Sequence, residues 1–356
     1  MEDILKYIAG SIAAEEKALG LNWRYSYSLI KPVEKGIVEV ELSRKEVMRG
    51  LIDRLEGFSV ESGKEGVTLL GSPAGATVRL RLLGSGGDTV LWVVSSVADI
   101  RRDPAHSAEL LDQAIMGEEA LSLKIEGEWH LVCMADDYHG WISSWFVSET
   151  AVDEVESYRR RTNRMVQASI GYVLSEPDDG SLPVSDVVAG TKVIAGEPVG
   201  GFVSVALPGG RRGYIREGVL GEPAQGKPDR TRLVRRAKRF LGIPYVWGGA
   251  SAKGFDCSGF VKRVFLFEGV ELPRDSDRQA EAGRLIPRNE IDRAFPGDLL
   301  FFGEGGVITH VAIYLGNGRF IHAYGDVRIN SFLADDPIYE GKLAKVLLFA
   351  RSILPE

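Results

Sequence analysis

Cysteine is scarce in this sequence: Cys133 and Cys257 are the two among 356 residues. A disulfide framework is thereby excluded, and with no CxxC pair a structural zinc site has no frame. Long apolar runs are missing as well; stretches such as Val90 to Val94 end after about five residues, against the roughly 20 needed to cross a bilayer. No membrane partner is expected. Positive charge is not in excess either, 43 Lys plus Arg standing against 50 Asp plus Glu for a net charge of -7, so no overall basic field draws the chain to nucleic acid. No nucleic-acid partner is expected. The opening MEDILKYIAG is acidic where a secretory leader is basic. With the paucity of cysteine this sets the expectation of a reducing, cytoplasmic setting. What the sequence does have is 44% apolar residues, enough for real cores, and a length that suits about two to four domains.

Residues 1–92 read as a small α+β domain without a chemical motif. The first 20 or so are helical in pattern, and Trp23 to Ser28 alternates like a strand. Ser43-Arg-Lys-Glu46 has the form of a capping box ahead of Val47, Leu51, Ile52 and Leu55 on one helical face. Thr77 to Leu83 alternates Val78, Leu80 and Leu82 with Arg79 and Arg81, the mark of a strand with one buried face. Residues 93–150 are short strands between glycine and acidic turns, expected to close into a small barrel. Residues 151–222, a charged linking segment and a second run of short strands, repeat that scheme, with GYIREG in the place of GWISSW. EPAQGKPD then leads into an amphipathic helix from Arg230 to Leu241, whose basic run is expected to face solvent, and residues 229–356 form the last domain.

The chemistry is concentrated there. Gly242-Ile-Pro-Tyr-Val-Trp-Gly-Gly249 is followed by Phe255-Asp-Cys-Ser-Gly-Phe260 and then an apolar helical run, so Cys257 stands where a helix begins. A thiol, with an unperturbed pKa of about 8.5, becomes a good nucleophile when a helix N-terminus or an imidazolium stabilises its thiolate. Further on, Ile308 to Gly316 and Arg319 to Tyr324 read as strands carrying His310 and His322. Pairing through the Gly316-Asn-Gly318 turn brings both imidazoles to one face.

In order and spacing, YVWGG, DCSGF, LPRDSDRQ, PGDLLFF, THVAIYLG and RFIHA resemble the NlpC/P60 family of cell-wall cysteine peptidases, over residues 229 to 352. That resemblance implies a papain-like α+β fold, with Cys257 as nucleophile, His310 as general base and His322 as the polar third member that orients it. Tyr245 is then expected to hold the developing oxyanion beside the Cys257 backbone N–H. The two barrel segments resemble bacterial SH3 (SH3b) domains, through EGEWHLVCMADDYHGWISSWFV and GRRGYIREGVL. Two SH3b domains ahead of an NlpC/P60 domain resemble the γ-D-glutamyl-L-diamino acid endopeptidases, also called dipeptidyl-peptidase VI. Their substrate is a murein stem peptide with a free N-terminal L-Ala, and their first SH3b domain walls the amine end of the cleft. Carried over residue by residue, Asp256, Tyr138 and Glu109 are expected to bind the amine. Ser258 and Ser276, with Arg274 as a helper, are expected to hold the α-carboxylate of D-glutamate.

Other readings of the same residues stand beside these. Glu118 or Asp112 is an alternative to Glu109, Tyr138 is otherwise a turn aromatic stacked on Trp141, and Asp256 and Ser276 are also suited to cap helices. A metal bound by Cys257, His310 and His322 is the rival to catalysis by a thiol, although no fourth ligand has the spacing for it. Cys133, alternating with Val132 and Met134, reads as structural. His139 is a candidate to line the cleft. No metal, nucleotide or flavin motif is present, so no cofactor is expected. An exported endopeptidase acting on intact peptidoglycan and a non-catalytic peptidoglycan-binding protein are the alternative functions.

Overall fold

Alternating valine and leucine with arginine builds the strand Thr77–Leu82, whose Val78 and Leu80 are buried and whose Arg79 and Arg81 are exposed. In the computed structural model, which describes residues 2–34, 37–55, 59–63, 66–70, 77–84, 89–223 and 226–355, this strand is central to a five-stranded sheet. The order is Ser28–Glu34, Ile37–Leu42, Thr77–Leu82, Gly66–Leu70, Ser59–Gly63. Ile37–Leu42 runs parallel to the central strand and the other neighbours run antiparallel. Helices Glu2–Ala18 and Lys45–Arg54 bury Ile8, Ile12, Val47 and Leu51 in one core with Val38, Val40, Val78 and Leu80.

Two local expectations fail here. Trp23 to Tyr25 form a turn, closed by the Tyr25 and Ser26 N–H groups on the Asn22 carbonyl, each at 2.9 Å. The capping box is not made either. The helix starts at Lys45 with no side-chain cap, because the Ser43 hydroxyl accepts the Tyr27 N–H at 2.8 Å and so extends the strand ladder instead.

The chain clusters into two units, Met1–Val90 with Ala120–Trp141, and Leu91–Glu119 with Ile142–Glu356. The stretch 93–150, read above as one barrel, is therefore divided between them. The first unit also holds the antiparallel ladder of Trp129–Met134 with residues 120–126, around Leu123, Trp129, Leu131 and Trp141. The second contains a seven-stranded sheet in the order Pro183–Val188, Ile170–Leu174, Arg212–Arg216, Phe202–Ala206, Lys192–Val199, Arg164–Val166, Leu220–Gly221. Here the internal repeat has a local counterpart. Arg212–Arg216 runs into a 3₁₀ turn at Glu217–Val219 just as His139–Ser143 runs into one at Ser144–Phe146. Gly213 of GYI is required, since a Cβ there would lie 2.4 Å from the Leu174 carbonyl oxygen.

The C-terminal part of the second unit is a six-stranded antiparallel sheet, Arg284–Pro287, Leu347–Ser352, Leu299–Glu304, Val307–Gly316, Arg319–Tyr324, Asp326–Ser331. The helix Cys257–Leu266 buries Phe260, Val261, Val264 and Phe265 in one core with Phe301, Val311, Ile313 and Ile321 of that sheet. Helix Arg230–Lys238 is capped by Asp229, which accepts the Arg232 N–H at 2.6 Å, and ends three residues before Leu241. Its basic run is not simply solvated. Arg230 donates to Asp298 at 2.7 Å and to the Pro296, Leu354 and Pro355 carbonyls, while Arg232 and Arg236 pair with the buried carboxylate of Glu268. Burying an acid is tolerated only when a cation and hydrogen bonds compensate it. Arg230→Ala strands Asp298 and is expected to cost about 3 kcal/mol in a denaturant titration, whereas Arg235→Ala, exposed on the same helix, should stay within about 0.5 kcal/mol.

Candidate active site

Asp256 has an extended backbone, and its Oδ1 accepts the Gly259 N–H at 2.7 Å, so it caps the helix that Cys257 opens. Gly259 is needed there because a Cβ would sit 2.2 Å from the Gly249 carbonyl oxygen. The Asp256 carboxylate accepts five hydrogen bonds: from the Gly259 and Gly248 N–H groups, the Ser258 hydroxyl and both terminal nitrogens of Arg274. Arg274 is 1% exposed and is therefore occupied inside the protein. Its Nη1 also donates to Ser258 Oγ at 2.9 Å, and its Nε lies 2.6 Å from Asp112 Oδ1. Asp112, itself buried, is approached by Lys262 Nζ at 3.3 Å. Burial alone pushes this carboxyl up, but Lys262 and Arg274 together overcome that and hold it below its ordinary value.

The hairpin expected at Gly316-Asn-Gly318 is present, with Asn317 in the left-handed region at φ 52°. Its register pairs Ile313 with Ile321, which continues to His322 opposite Ala312 and so puts His322 on the same face as His310. The two rings meet, His310 Nε2 to His322 Nδ1, at 2.7 Å. His322 Nε2 lies 3.0 Å from Asn330 Oδ1, and Asn330 Nδ2 donates to the Ile338 carbonyl at 3.1 Å. Those ring nitrogens face one another and Asn330, an arrangement that does not suit a metal shared with Cys257. Phe302, Phe320 and Tyr324 surround the pair, the Tyr324 ring stacked on His322 at 5.7 Å.

These surroundings favour neutral groups. Burial, followed by the Asp256 charge, pushes the Cys257 thiol up to about 12, against backbone hydrogen bonds from Val311 and Ser258 and the charge of Arg274. Val311 is the neighbour of His310 on its strand, so the thiol lies against that strand. Burial and the adjacent His322 bring His310 down to about 3, and burial brings His322 down to about 4. Tyr245 is raised to about 12 by burial and then by Cys257 and Asp256, so its phenol remains an O–H donor beside the thiol.

The remaining expected residues fall in several places. Glu109 is on the loop before Leu110–Ile115; its Oε1 accepts the Trp247 indole N–H at 3.0 Å and its Oε2 lies 3.3 Å from Arg102. Glu118, the alternative, pairs with Arg263 at 2.6 Å. Ser276 opens the short helix Ser276–Gln279, whose cap position is Asp275, and its side chain takes no part in the Asp256 network. Tyr138, in the first unit, is 1% exposed and packs edge-on against Tyr25, with ring centroids 5.4 Å apart. His139, in the same unit, is buried with Nδ1 3.2 Å from the Arg24 carbonyl oxygen. Cys133 is pushed up to about 11 by burial and then Asp137, an unreactive thiol. Sequence reasoning missed Asn330. The signal for it is the register of Arg319–Tyr324 with Asp326–Ser331, which sets Asn330 opposite Phe320, two residues from His322 on the same face.

Comparison with known proteins agrees with this geometry. Residues 242–347 match the NlpC/P60 family and residues 100–144 the bacterial dipeptidyl-peptidase SH3 domain. The gamma-D-glutamyl-L-lysine dipeptidyl-peptidase of Bacillus subtilis (strain 168) is 28% identical over 267 residues, 72% of this chain and 86% of that protein. Dipeptidyl-peptidase 6 of Lysinibacillus sphaericus is 27% identical over 273 residues, 72% of this chain and 96% of that one. Peptidoglycan endopeptidase RipB of Mycobacterium tuberculosis is 43% identical over 106 residues, 26% of this chain and 42% of that one. A solved NlpC/P60 family protein from Bacillus cereus shares the fold, with a TM-score of 0.63 at 23% identity over 75% of this chain and 100% of that one. With a helix-opening cysteine, a bonded histidine pair and those sequence matches, the chain contains an NlpC/P60 cysteine peptidase domain over residues 242–347 and, ahead of it, a bacterial dipeptidyl-peptidase SH3 domain over residues 100–144.

Proposed function

We propose that this protein hydrolyses the γ-amide bond from D-glutamate to the diamino acid in peptidoglycan stem peptides whose N-terminal L-alanine is free, as part of murein peptide recycling in the cytoplasm. The observation that carries the substrate end of this reading is the placement of Glu109 and Asp256. Two consecutive residues, Trp247 through its indole N–H and Gly248 through its backbone N–H, each hold one of these carboxylates at 3.0 Å. Glu109 comes from the SH3-matched stretch and Asp256 from the peptidase motif. Two acids held by one loop suit an ammonium group, and an acylated amine brings bulk without charge. Ser258 and Ser276 take the α-carboxylate of D-glutamate in this reading, and Arg274 acts through Ser258 rather than by touching substrate.

Cys257 Sγ attacks the amide carbon while its proton passes to His310. The oxyanion receives hydrogen bonds from the Tyr245 phenol and the Cys257 N–H, and collapse breaks the C–N bond as His310 returns the proton to the leaving amine. Water, deprotonated by His310, then cleaves the thioester and restores the thiol. Because burial favours a neutral thiol and a neutral imidazole, the proton moves with the attack rather than before it. A second reading, an endopeptidase on intact peptidoglycan, draws support from the 43% identity with RipB.

The peptide L-Ala-γ-D-Glu-L-Lys, or its diaminopimelate counterpart, should be cut by the parent protein and spared when the alanine amine is acetylated. Cys257→Ala should abolish turnover. Equal cleavage of free and acetylated peptides removes the amine pocket from this account, and faster release from intact sacculi than from free peptides favours the second reading. Alkylation of Cys257 by iodoacetamide should climb about tenfold per pH unit between pH 6 and 9, as a thiol held well above that range requires. A plateau reached already near pH 5 would instead mean a preformed thiolate. With His310 held near 3, loss of activity through its protonation should set in only well below pH 6.

A further inference from the structure

We infer that Asn330 is a positioning residue: it fixes which nitrogens of the histidine pair carry hydrogen, and so leaves His310 Nδ1 bare to receive the proton of the Cys257 thiol. This rests on the roles proposed above for Cys257 and His310. The reasoning follows donors and acceptors from one end of the chain to the other. The Ile338 carbonyl can only accept, and it takes both the Ser331 N–H at 3.0 Å and an Asn330 contact at 3.1 Å. The Asn330 group facing Ile338 is therefore its NH₂, and its Oδ1 is the end that faces His322. An amide oxygen can only accept, so His322 Nε2, 3.0 Å away, carries a hydrogen.

A neutral imidazole has one N–H. His322 Nδ1 is then a bare acceptor, and the 2.7 Å contact from His310 Nε2 requires that the hydrogen sit on His310 Nε2. By the same count His310 Nδ1 has a free lone pair. Remove the Asn330 oxygen and the opposite pattern, with the same number of hydrogens, becomes available. His322 Nδ1–H then donates to His310 Nε2, the hydrogen of His310 moves to Nδ1, and that nitrogen can no longer accept from the thiol. Nothing in the Asn330 side chain touches the reacting atoms; its effect passes through His322, which is fully buried.

The charged groups near His322 are Arg328, Glu340 and Asp326, and His310 faces it from the neighbouring strand. A carboxylate in place of the Asn330 amide still accepts from His322 Nε2–H, and it adds a charge that favours the imidazolium. Asn330→Leu should lower kcat on L-Ala-γ-D-Glu-L-Lys roughly 10- to 100-fold with little change in KM, by analogy with the range for outer hydrogen-bond partners of metal-bound histidines. Asn330→Asp should recover most of that kcat at pH 8 and move the acid limb of kcat/KM to higher pH. Nitrogen-15 NMR of the parent protein should show both His310 and His322 protonated at Nε2, with His310 Nδ1–H appearing in Asn330→Leu. A parent His310 protonated at Nδ1 overturns the inference, as does an equal loss of kcat in Asn330→Leu and Asn330→Asp. If the parent leaves the peptide uncut, the substrate reading fails while the nitrogen pattern of the parent still decides the role of Asn330, and that measurement needs no variant to fold.

Discussion

A single guanidinium, that of Arg274, links the parts of this molecule on which the active site depends. It is all but removed from water, a position that costs several kcal/mol for any ion unless opposite charge and hydrogen bonds surround it. Asp256 meets one side of its planar fork with two bonds, and Asp112 approaches the Nε edge. A lysine ammonium has no such geometry and would satisfy one acid at the expense of the other. Asp256 is in this way held in the one rotamer that caps the Cys257 helix. Asp112 belongs to the stretch matched to the SH3 domain, so that stretch contributes to the electrostatics of the peptidase site from behind, without needing to touch substrate.

The same arrangement sets the reactivity of the thiol. A capping carboxylate next to a helix-opening thiol has two opposed effects: it organises the N–H groups of the first helical turn, which favour a thiolate, and its own charge disfavours one. Arg274 moderates the second effect. Burial remains the largest influence, and a neutral thiol is the outcome. Such a thiol is protected from adventitious oxidation and alkylation, since it is the thiolate that reacts.

The helix-opening position of Cys257 and the pairing of His310 with His322 were legible in the sequence because their signals are local. Asp-Cys-Ser-Gly before an apolar run marks a helix start, and Gly-Asn-Gly between alternating strands fixes a register that carries His310 and His322 together. Asn330 required one more step of the same register, across the next hairpin. Buried charge was not legible. Nothing in LLDQAI separates Asp112 from a solvated strand acid, nor Arg230 from the exposed arginines of its helix, because pairing depends on residues more than 60 positions away. The capping box failed for a related reason: Ser43 had a competing backbone partner at Tyr27. Tyr138 came from resemblance alone, and its ring is packed against Tyr25, a neighbour that no local pattern announces.

Gly248 presses its backbone against the Leu110 carbonyl, where a Cβ would approach to 2.3 Å, and four ion pairs join the C-terminal domain to residues before it: Lys253 with Asp186, Lys262 with Asp112, Arg263 with Glu118, Arg274 with Asp112. In every pair the cation comes from the C-terminal domain and the acid from residues before it. Cut free near residue 229, that domain would lose the acids that face these four cations, while Arg274 keeps Asp256. It is thus no portable cassette: recombination onto a foreign N-terminal partner succeeds only where the newcomer supplies acids at matching heights along the seam.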